Sequence, residues 1–571
     1  YCHEDILKAE IYSTRSIENS GRGLWRVGIE FGLQGLASLG MPLLGQTSAA
    51  TDESEALLIQ EQALFNDQMK RTPIDQIEQL PEMSDPRKLI AIKILSTLTV
   101  CTFLLGNFTL MRLSVLRGLN LVLTGGKSDL AGSQLSWFSA LLVHNREYTY
   151  GSAVAEQATA LLKFYPHAKE KVSSLNVLAC LVLPIKETFS HSIKLHQKAY
   201  EIGLESGEIA RAIMSLNNLL LLKYSSGITL SSIQSQAFDI NRIATRKKVF
   251  APHGVNIFTL VKALSTPSKQ AEKSFEFMFL PDQLKKIKDS VHEYTLLHFS
   301  SELAFWYGDR KKSLEMARNS HDYLNKNARF CFYMDHLLQY GLLQIADRGL
   351  VIPEESTNDA KELSDDLTFC IEELKNLAEF CPENFDHKYQ LLLAEQGAFQ
   401  NASMASVANQ YKKAIESAKE NGFIQYQALA NELFALYLNR FGLVDAAIAY
   451  LEEAVYLYQR WGCMARILYL KKNYKREFNL IKNLIRKYLK KPKSLLDLGC
   501  GTGRWAKIVA PKVGHLNCID PSSALDVAKK SLSLFSNTSF FLGSFGSKLI
   551  PDFAPPIGGP AIVNFISMVF C

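Results

Sequence analysis

The residues with the clearest potential for chemistry form one short stretch near the end of the chain. Residues 495–506 read LLDLGCGTGRWA: an apolar run ends in Asp497, Gly499, Gly501 and Gly503 follow at alternate positions, and a helical pattern then begins. Glycines allow a tight turn and leave no Cβ between backbone and ligand, while a helix N-terminus offers unpaired N–H donors. The stretch therefore predicts a strand, a glycine loop and a helix that together bind a nucleotide-like ligand.

A second apolar stretch supplies the acid that such a pocket needs. Residues 515–519 are followed by Asp520, about 20 residues beyond the glycine loop. An acid at this spacing lies at the tip of the next parallel strand, where its carboxylate can accept both hydroxyls of a ribose. Residues 539–542 are predicted as a third strand, and residues 523–534 as the helix before it, because apolar residues recur there at helical spacing.

This pattern resembles one family of nucleotide-binding enzymes. DxGxGxG differs from the dinucleotide pattern GxGxxG and resembles motif I of the class I S-adenosylmethionine-dependent methyltransferases, with Asp520 as the motif II acid. The resemblance implies that the three glycines pass along the methionine moiety of S-adenosyl-L-methionine, that Asp497 reaches its polar end and that Asp520 holds the ribose. Pro521 and Ser522 would face the adenine edge. The cofactor-binding set implied is Asp497, Gly499, Cys500, Gly501, Gly503, Asp520, Pro521 and Ser522, in which Cys500 is interpreted as a packing residue rather than a nucleophile.

The resemblance stops after the third strand. The family commonly places an acidic residue there, whereas this chain has Gly543 and Ser544, and the stretch from Asp552 has neither helical nor strand periodicity. Because such domains need roughly 150 residues, we expect a truncated or frame-shifted end as well as a cut start, since residue 1 is Tyr rather than Met. Two rivals to a methyltransferase pocket remain: a glycine-rich turn without a ligand, and a site for another dinucleotide.

Bulk composition is that of a folded protein with several domains. The 571 residues are 47% hydrophobic and 21% charged, and the net charge of +6 is too small to demand a nucleic-acid partner. Ten cysteines are scattered without a CxxC pair or zinc-type spacing, which predicts unpaired thiols, a cytoplasmic location and no metal site. Dispersed histidines, among them His321 and His336, are predicted to be core or surface groups.

The first 470 residues show helical periodicity almost throughout. It is clearest over 388–460, where helices are predicted at 389–400, 404–419, 426–440 and 444–459. Tyr411, Ala414 and Ile415 match Tyr450, Ala454 and Val455 about 39 residues on. This is the pattern of tetratricopeptide-type repeats, in which each hairpin buries its apolar face against its neighbours. The rival interpretation is an irregular helical bundle.

The order of segments resembles one specific family. GLASLGMPL at 35–43, MSDPRKLIAIKILSTL at 83–98 and the YxxWG ending at 458–462 are similar to the helical region of very large signalling proteins. Those proteins carry a serine/threonine kinase and a P-loop ATPase before this region, and a GAF domain and a histidine kinase after it. The resemblance covers most of 1–470 and implies a non-catalytic helical scaffold.

Three other features have plain interpretations. GGKS at 125–128 lacks the glycine that a Walker A loop needs at position 121, and is predicted to be a loop between helices. Residues 94–111 carry no charge, but their six serine, threonine and asparagine residues favour a buried helix over a membrane span. Residues 471–493 hold ten Lys/Arg and one acid; a linker helix is favoured over contact with nucleic acid or an anionic membrane.

The sequence thus predicts a mainly α protein: a helical-repeat scaffold over 1–470, a basic amphipathic linker helix over 471–490 and a partial, Rossmann-like α/β methyltransferase domain over 491–571. We expect methyl transfer from S-adenosyl-L-methionine to an unidentified acceptor, with a protein partner on the helical array. The alternative is a non-catalytic signalling scaffold that carries a methyltransferase remnant. Whether the chain as given is an enzyme stays open at this stage.

Overall fold

The protein is mainly helical. The structure, a computed structural model, describes residues 2–43, 51–165, 169–267, 290–326, 332–351 and 363–474, together with 494–498, 515–520, 529, 533 and 538–542. Its helices are α1 (Cys2–Gly21), α2 (Trp25–Ser38), α3 (Thr51–Arg71), α4 (Pro86–Leu104), α5 (Phe108–Gly125), α6 (Ala131–His144), α7 (Tyr148–Phe164), α8 (Lys171–Val177), α9 (Leu183–Lys186), α10 (Phe189–Glu205), α11 (Ile209–Ser225), α12 (Leu230–Lys247), α13 (Pro252–Ser265), α14 (Ser290–Tyr307), α15 (Arg310–Lys326), α16 (Tyr333–Val351), α17 (Asp365–Phe380), α18 (Pro382–Phe399), α19 (Met404–Glu420), α20 (Ile424–Arg440), α21 (Val444–Trp461) and α22 (Met464–Asn473). A 3-10 helix (Ile74–Gln79) and a π-helical turn (Leu178–Val182) accompany them. The strands are β1 (Ser494–Leu498), β2 (His515–Asp520) and β3 (Thr538–Leu542).

Local sequence explains where the helices begin and end. Asp85 accepts a hydrogen bond from the Arg87 N–H at 2.9 Å, and Pro86 occupies the first helical position of α4. Both are favoured there, because the first N–H groups of a helix have no partner within it. Gly106, at φ +71°, follows the last turn of α4 and allows the chain to reverse into α5.

The uncharged stretch 94–111 is divided between two helices. It supplies the end of α4 and the start of α5, and residues on both, such as Leu98 and Leu110, lie in one buried cluster. The hydroxyl of Thr102 donates to the carbonyl of Leu98 at 2.7 Å, so burial leaves that hydroxyl paired. The prediction that this stretch is buried and helical is thus confirmed, although it forms parts of two helices rather than one. Among the helices that the structure describes, none combines the length and apolar character needed to cross a bilayer.

Helices next to one another in sequence pack together through much of the array. Examples are α1 with α2, α4 with α5, α6 with α7, and α10 with α11. In the clearest predicted region, three of the four helices agree with the structure within two residues at either end. The exception is the helix expected at 389–400, which begins seven residues earlier as α18. Pro382 at its first position explains the start, because proline lacks the N–H that this position leaves unpaired.

The chain divides into two compact units: residues 1–437 with 453–469, and residues 438–452 with 470–571. Within the larger unit, helices far apart in sequence also touch. The Asn384 side-chain amide donates to the backbone carbonyls of Pro184 and Glu187, at 2.8 and 2.7 Å, and the Gln425 amide donates to the Ser225 carbonyl at 2.8 Å. The expectation that each hairpin packs only on its neighbours is therefore wrong here. The α18–α20 segment also covers helices that lie about 200 residues earlier.

The loop predicted at GGKS and the linker helix predicted at 471–490 compare differently with the structure. GGKS begins with the last residue of α5, Gly125, and continues into the connection to α6, as expected of a loop; Gly126 there has φ +108°, and an added Cβ would clash with the Pro81 carbonyl oxygen. The basic segment 471–490 is not a separate helix at its start, because residues 471–473 belong to α22. Residues 475–493 lie outside the described part of the chain, so the predicted linker helix and its rival contacts stay predictions.

Candidate functional site

The segment in which the nucleotide pocket is predicted contains a small parallel sheet. Its order is β1-β2-β3, and both pairs are parallel. β1 and β2 are in register from Ser494 opposite His515 to Leu498 opposite Ile519. The third strand, expected at 539–542, begins one residue earlier at Thr538. Parallel neighbours joined by long connections are what a strand–loop–helix–strand chain produces.

Two of the eight predicted site residues lie in the described strands, and the sheet brings them to the same edge. Asp497 is next to last in β1 and pairs with Cys518, while Asp520 is the last residue of β2. Asp520 is therefore two register positions beyond Asp497, toward the carboxyl end of the adjacent strand. Neighbouring strands are about 4.8 Å apart. The other six site residues lie outside the described part of the chain: Gly499, Cys500, Gly501, Gly503, Pro521 and Ser522.

This edge is where open α/β sheets hold ligands. In doubly wound folds, ligands bind outside the carboxyl ends of the strands, and one half of the common order reads 3-2-1. The three strands here have that half order, read from either side. In the described strands, Asp520 is the last residue of β2 and Asp497 the next to last of β1, both at this edge.

The larger unit contains buried charged clusters that sequence reasoning missed. Lys388, on α18, is fully buried, and its Nζ lies 3.5 Å from Oδ1 of Asp335 on α16. The rings of Phe423 and Tyr426 lie 4.7 and 4.5 Å from the same ammonium. Burial lowers the pKa of Lys388, and the charge of Asp335 opposes that shift. Tyr426 also donates its hydroxyl to Asp335 at 2.5 Å.

A buried carboxyl group on α14 lies close to this ion pair. Glu302 accepts hydrogen bonds at Oε2 from the Trp306 indole at 2.7 Å and from the Tyr224 hydroxyl at 3.0 Å. Burial, and then the charge of Asp335, raise the pKa of Glu302 to about 7, although the two hydrogen bonds act in the opposite direction. The group therefore titrates near neutral pH inside a helical core.

A third cluster joins α20 to α22. The Arg466 guanidinium donates to both carboxylate oxygens of Glu432, through Nε at 2.9 Å and through Nη2. Its Nη1 donates to the Phe305 carbonyl at 3.0 Å, and Tyr458 donates to the same carboxylate at 2.9 Å. Bidentate pairs of this kind fix geometry as well as charge. Tyr458 and Trp461, the specific letters of the YxxWG ending, are thus core residues with 0% and 1% exposure.

His321 and His336, predicted to be core or surface groups, are core residues. His321 and His336 are buried and their nearest ring nitrogens lie 3.4 Å apart. Burial lowers the pKa of His336 well below its usual value and that of His298 to about 3. Neutral imidazoles in this setting pack rather than carry charge. In the described residues, no group of three or more His, Cys, Asp or Glu is arranged to hold a metal ion.

These clusters left no signal in the sequence. Glu302, Asp335, Lys388, Glu432 and Arg466 each lie on a helix, where a charged residue usually marks a solvated face. Apart from Trp306, which lies four residues beyond Glu302 on the same helix, their hydrogen-bond partners on other helices are 26 to 161 residues away. Periodicity reports only which face a residue is on, and not which helix covers that face.

No protein-family model matches this chain, and no curated protein is significantly similar to it. The functional argument therefore depends on the chemistry of the residues and on where the fold places them.

Proposed function

We propose that the chain is a class I methyltransferase that binds S-adenosyl-L-methionine at the carboxyl edge of the β1-β2-β3 sheet. The observation that carries the proposal is the register: Asp497 and Asp520 come to one edge of adjacent parallel strands. Directly after Asp497 the sequence has the glycine pattern that lets a backbone approach the ligand.

In this proposal, each group has a stated task. Asp520 accepts hydrogen bonds from the two ribose hydroxyls, Asp497 orients the methionine end, and the glycine loop supplies N–H donors and close approach. The bound sulfonium is already activated for methyl transfer, so the protein contributes mainly position and orientation. The remaining members of the set are assigned to the methionine and the adenine, as the family pattern implies: Gly499, Cys500, Gly501, Gly503, Pro521 and Ser522.

The helical region completes the proposal as a tetratricopeptide-like scaffold that recruits a protein partner or the methyl acceptor. Helical hairpins stacked side by side offer extended surfaces for such binding. A cytoplasmic location is part of the same proposal, and the five cysteines that the structure describes with their side chains support it, because all are free thiols: Cys101, Cys180, Cys370, Cys381 and Cys463.

Calorimetric titration of the full chain with S-adenosyl-L-methionine tests the pocket. Asp520→Ala removes an ionised acceptor of two hydrogen bonds, and we expect affinity to fall roughly tenfold to a hundredfold. Asp239→Ala is a matched control, because Asp239 is exposed on α12 and forms only a surface contact with Arg242. A second titration with NAD separates a methyltransferase pocket from a dinucleotide site.

The results decide between two functions. Saturable heat with S-adenosyl-L-methionine that weakens only in Asp520→Ala supports the methyltransferase. Absence of heat, or equal affinity in Asp520→Ala and wild type, would overturn it. The second candidate, a non-catalytic helical signalling scaffold, would then hold, and the size and internal packing of the helical unit already favour a role of that kind.

A further inference from the structure

A cleft of about 400 Å³ lies in the larger unit between α3, α5, α6 and the start of α7. Its floor is apolar and buried: Phe65, Leu116, Phe138 and Leu142 line it, and each is 8% exposed or less. Ligand sites in proteins have volumes of roughly 300–1,000 Å³, and an apolar space of about 150 Å³ already holds a benzene ring. The cleft therefore has room for a ligand of two fused rings with a polar substituent.

Three aromatic rings form a row in this cleft. The rings of Phe65 and Phe138 meet edge to face with their centroids 5.0 Å apart, and those of Phe138 and Tyr150 meet in the same way at 6.4 Å. Aromatic pairs attract at these separations. Tyr150 is 39% exposed, so the row ends in a ring that a ligand can reach. A flat aromatic ligand extends the row.

Two cationic side chains line the same cleft. Lys70 lies near the end of α3 and Arg112 near the start of α5, and both are exposed. Beyond the cleft, Glu61 on α3 accepts hydrogen bonds from Arg117 and Asn120 on α5. Residue numbers thus rise along α3 where they fall along α5, so the two helices run antiparallel here. This brings Lys70 and Arg112 to one end of the cleft.

The helices around the cleft supply these two cations with no carboxylate. α5 and α6 contain no Asp or Glu. On α3, Glu61 is already bound to α5, and Asp67 pairs with Arg71 at 2.8 Å. In the part of the chain that the structure describes, neither Lys70 nor Arg112 forms an ion pair. An anion in the cleft would therefore meet two cations that no other group neutralises.

One acid does line the cleft. Glu147 precedes α7, and its side chain makes no capping hydrogen bond. Burial, and then the charge of Glu147, raise the pKa of Tyr150, so the Tyr150 hydroxyl keeps its proton at neutral pH. The charged residues that line the cleft are two cations and one acid, which leaves one positive charge in excess. Glu147 weakens the attraction for an anion without cancelling it.

We propose that this cleft binds an aromatic carboxylate, with its rings against Phe138 and Tyr150 and its carboxylate on Arg112 and Lys70. The planar guanidinium of arginine matches a carboxylate through two parallel hydrogen bonds, which fixes orientation as well as charge. The buried apolar floor accounts for the aromatic part of the ligand, and the excess positive charge for its acid. The inference does not depend on the nucleotide pocket proposed above.

Calorimetric titration of the full chain with naphthoate tests the site, and naphthamide is the neutral probe with the same rings. We expect naphthoate to bind with a dissociation constant of roughly 0.1–1 mM, and naphthamide to bind more weakly. Arg112→Gln should weaken naphthoate binding about threefold to thirtyfold and leave naphthamide binding unchanged. Arg71→Gln is the matched control, because Arg71 is an exposed arginine of α3 that pairs with Asp67 and does not line the cleft.

Two further variants locate the binding. Glu147→Gln removes the one acid of the cleft and should strengthen naphthoate binding about twofold to fivefold. Met69→Trp fills the cleft from a half-buried position and should abolish saturable binding of both probes, with little change in the helical circular dichroism. Absence of saturable naphthoate binding to the wild type would overturn the proposal. So would equal affinity for the two probes, equal loss in Arg112→Gln and Arg71→Gln, or naphthoate binding that Glu147→Gln weakens or that Met69→Trp leaves unchanged.

Discussion

The protonation of Glu302 makes the stability of the larger unit depend on pH, and replacing it with glutamine should remove that dependence. Glu302 is 5% exposed and accepts two hydrogen bonds, from Trp306 and Tyr224. Burial and the nearby charge of Asp335 raise its pKa to about 7, from an ordinary 4.5. Its neutral form is therefore the one that the folded core prefers.

The direction and size of the pH effect on the unfolding free energy follow from the difference between the folded and unfolded pKa of Glu302. An acid whose pKa is raised on folding stabilises the folded state fully below the unfolded pKa, and the contribution disappears as the pH rises through the folded pKa. A rise in pKa from 4.5 to about 7 corresponds to roughly 3 kcal/mol of unfolding free energy. Most of it should be lost between pH 5 and pH 8. Glu302→Gln keeps an acceptor for both donors and cannot ionise.

Urea unfolding of wild type and Glu302→Gln at pH 5, 6, 7 and 8 measures the effect. Helical circular dichroism reports on the helical unit, and the difference in unfolding free energy between the two proteins is the quantity of interest. We expect that difference to move by roughly 2–3 kcal/mol in favour of the variant between pH 5 and pH 8. Taking the difference cancels titration that both proteins share.

A flat difference across this range would refute the reasoning, because it would mean that Glu302 is ionised at ordinary pH in the folded core. Glu315→Gln serves as the control. Glu315 is exposed on α15, so its replacement should leave the pH profile parallel to that of wild type.

Other substitutions test the charged clusters, one close backbone approach and the buried thiols. Arg466→Met leaves the carboxylate of Glu432 buried without its bidentate partner, and should cost about 3–5 kcal/mol of unfolding free energy in urea titration, partly restored by adding Glu432→Gln. Gly308→Ala should destabilise more than Gly422→Ala in the same assay. Both have positive φ, but an added Cβ at 308 would lie 2.0 Å from the Tyr469 ring, while the space at 422 is open. Maleimide labelling at pH 8, read by peptide mass spectrometry, should require unfolding for three buried thiols whose pKa burial raises: Cys101, Cys370 and Cys463. Rapid labelling of these thiols in the native protein would contradict this.

Local chemistry let the sequence predict the helices but not their partners. The break at Asn401, the loop at GGKS and the bounds of three of the four helices in 388–460 were predictable, because turn residues and apolar spacing act over a few positions. The start of α18 was not predicted, because the helix was placed by the spacing of its apolar residues. Pro382, which favours a helix start, was not used. The covering of early helices by α18 and α20 depends on contacts across about 200 residues, which periodicity does not carry.

The candidate site was also predicted only in part from the sequence. Strand, acid and spacing predicted three strands, with Asp497 at the end of the first and Asp520 at the tip of the next parallel one; the order β1-β2-β3 comes from the structure. The assignments of the glycine loop and of Pro521 and Ser522 stay predictions, because these residues lie outside the described part of the chain. The Glu302, Lys388 and Arg466 clusters could not be predicted, since each charge is stabilised by a helix that the sequence gives no reason to bring near.

The contacts between early and late helices have a consequence for how the chain is made. The Ser225 carbonyl gains its hydrogen bond only when Gln425 has been synthesised, and the carbonyls of Pro184 and Glu187 gain theirs only when Asn384 has been synthesised. At synthesis rates of about 5–20 residues per second, a gap of 200 residues takes roughly 10–40 s. During that time, the faces of α9 to α11 that α18 and α20 will cover are exposed at the ribosome. Ribosome release before residue 425 would leave those faces without the helices that cover them.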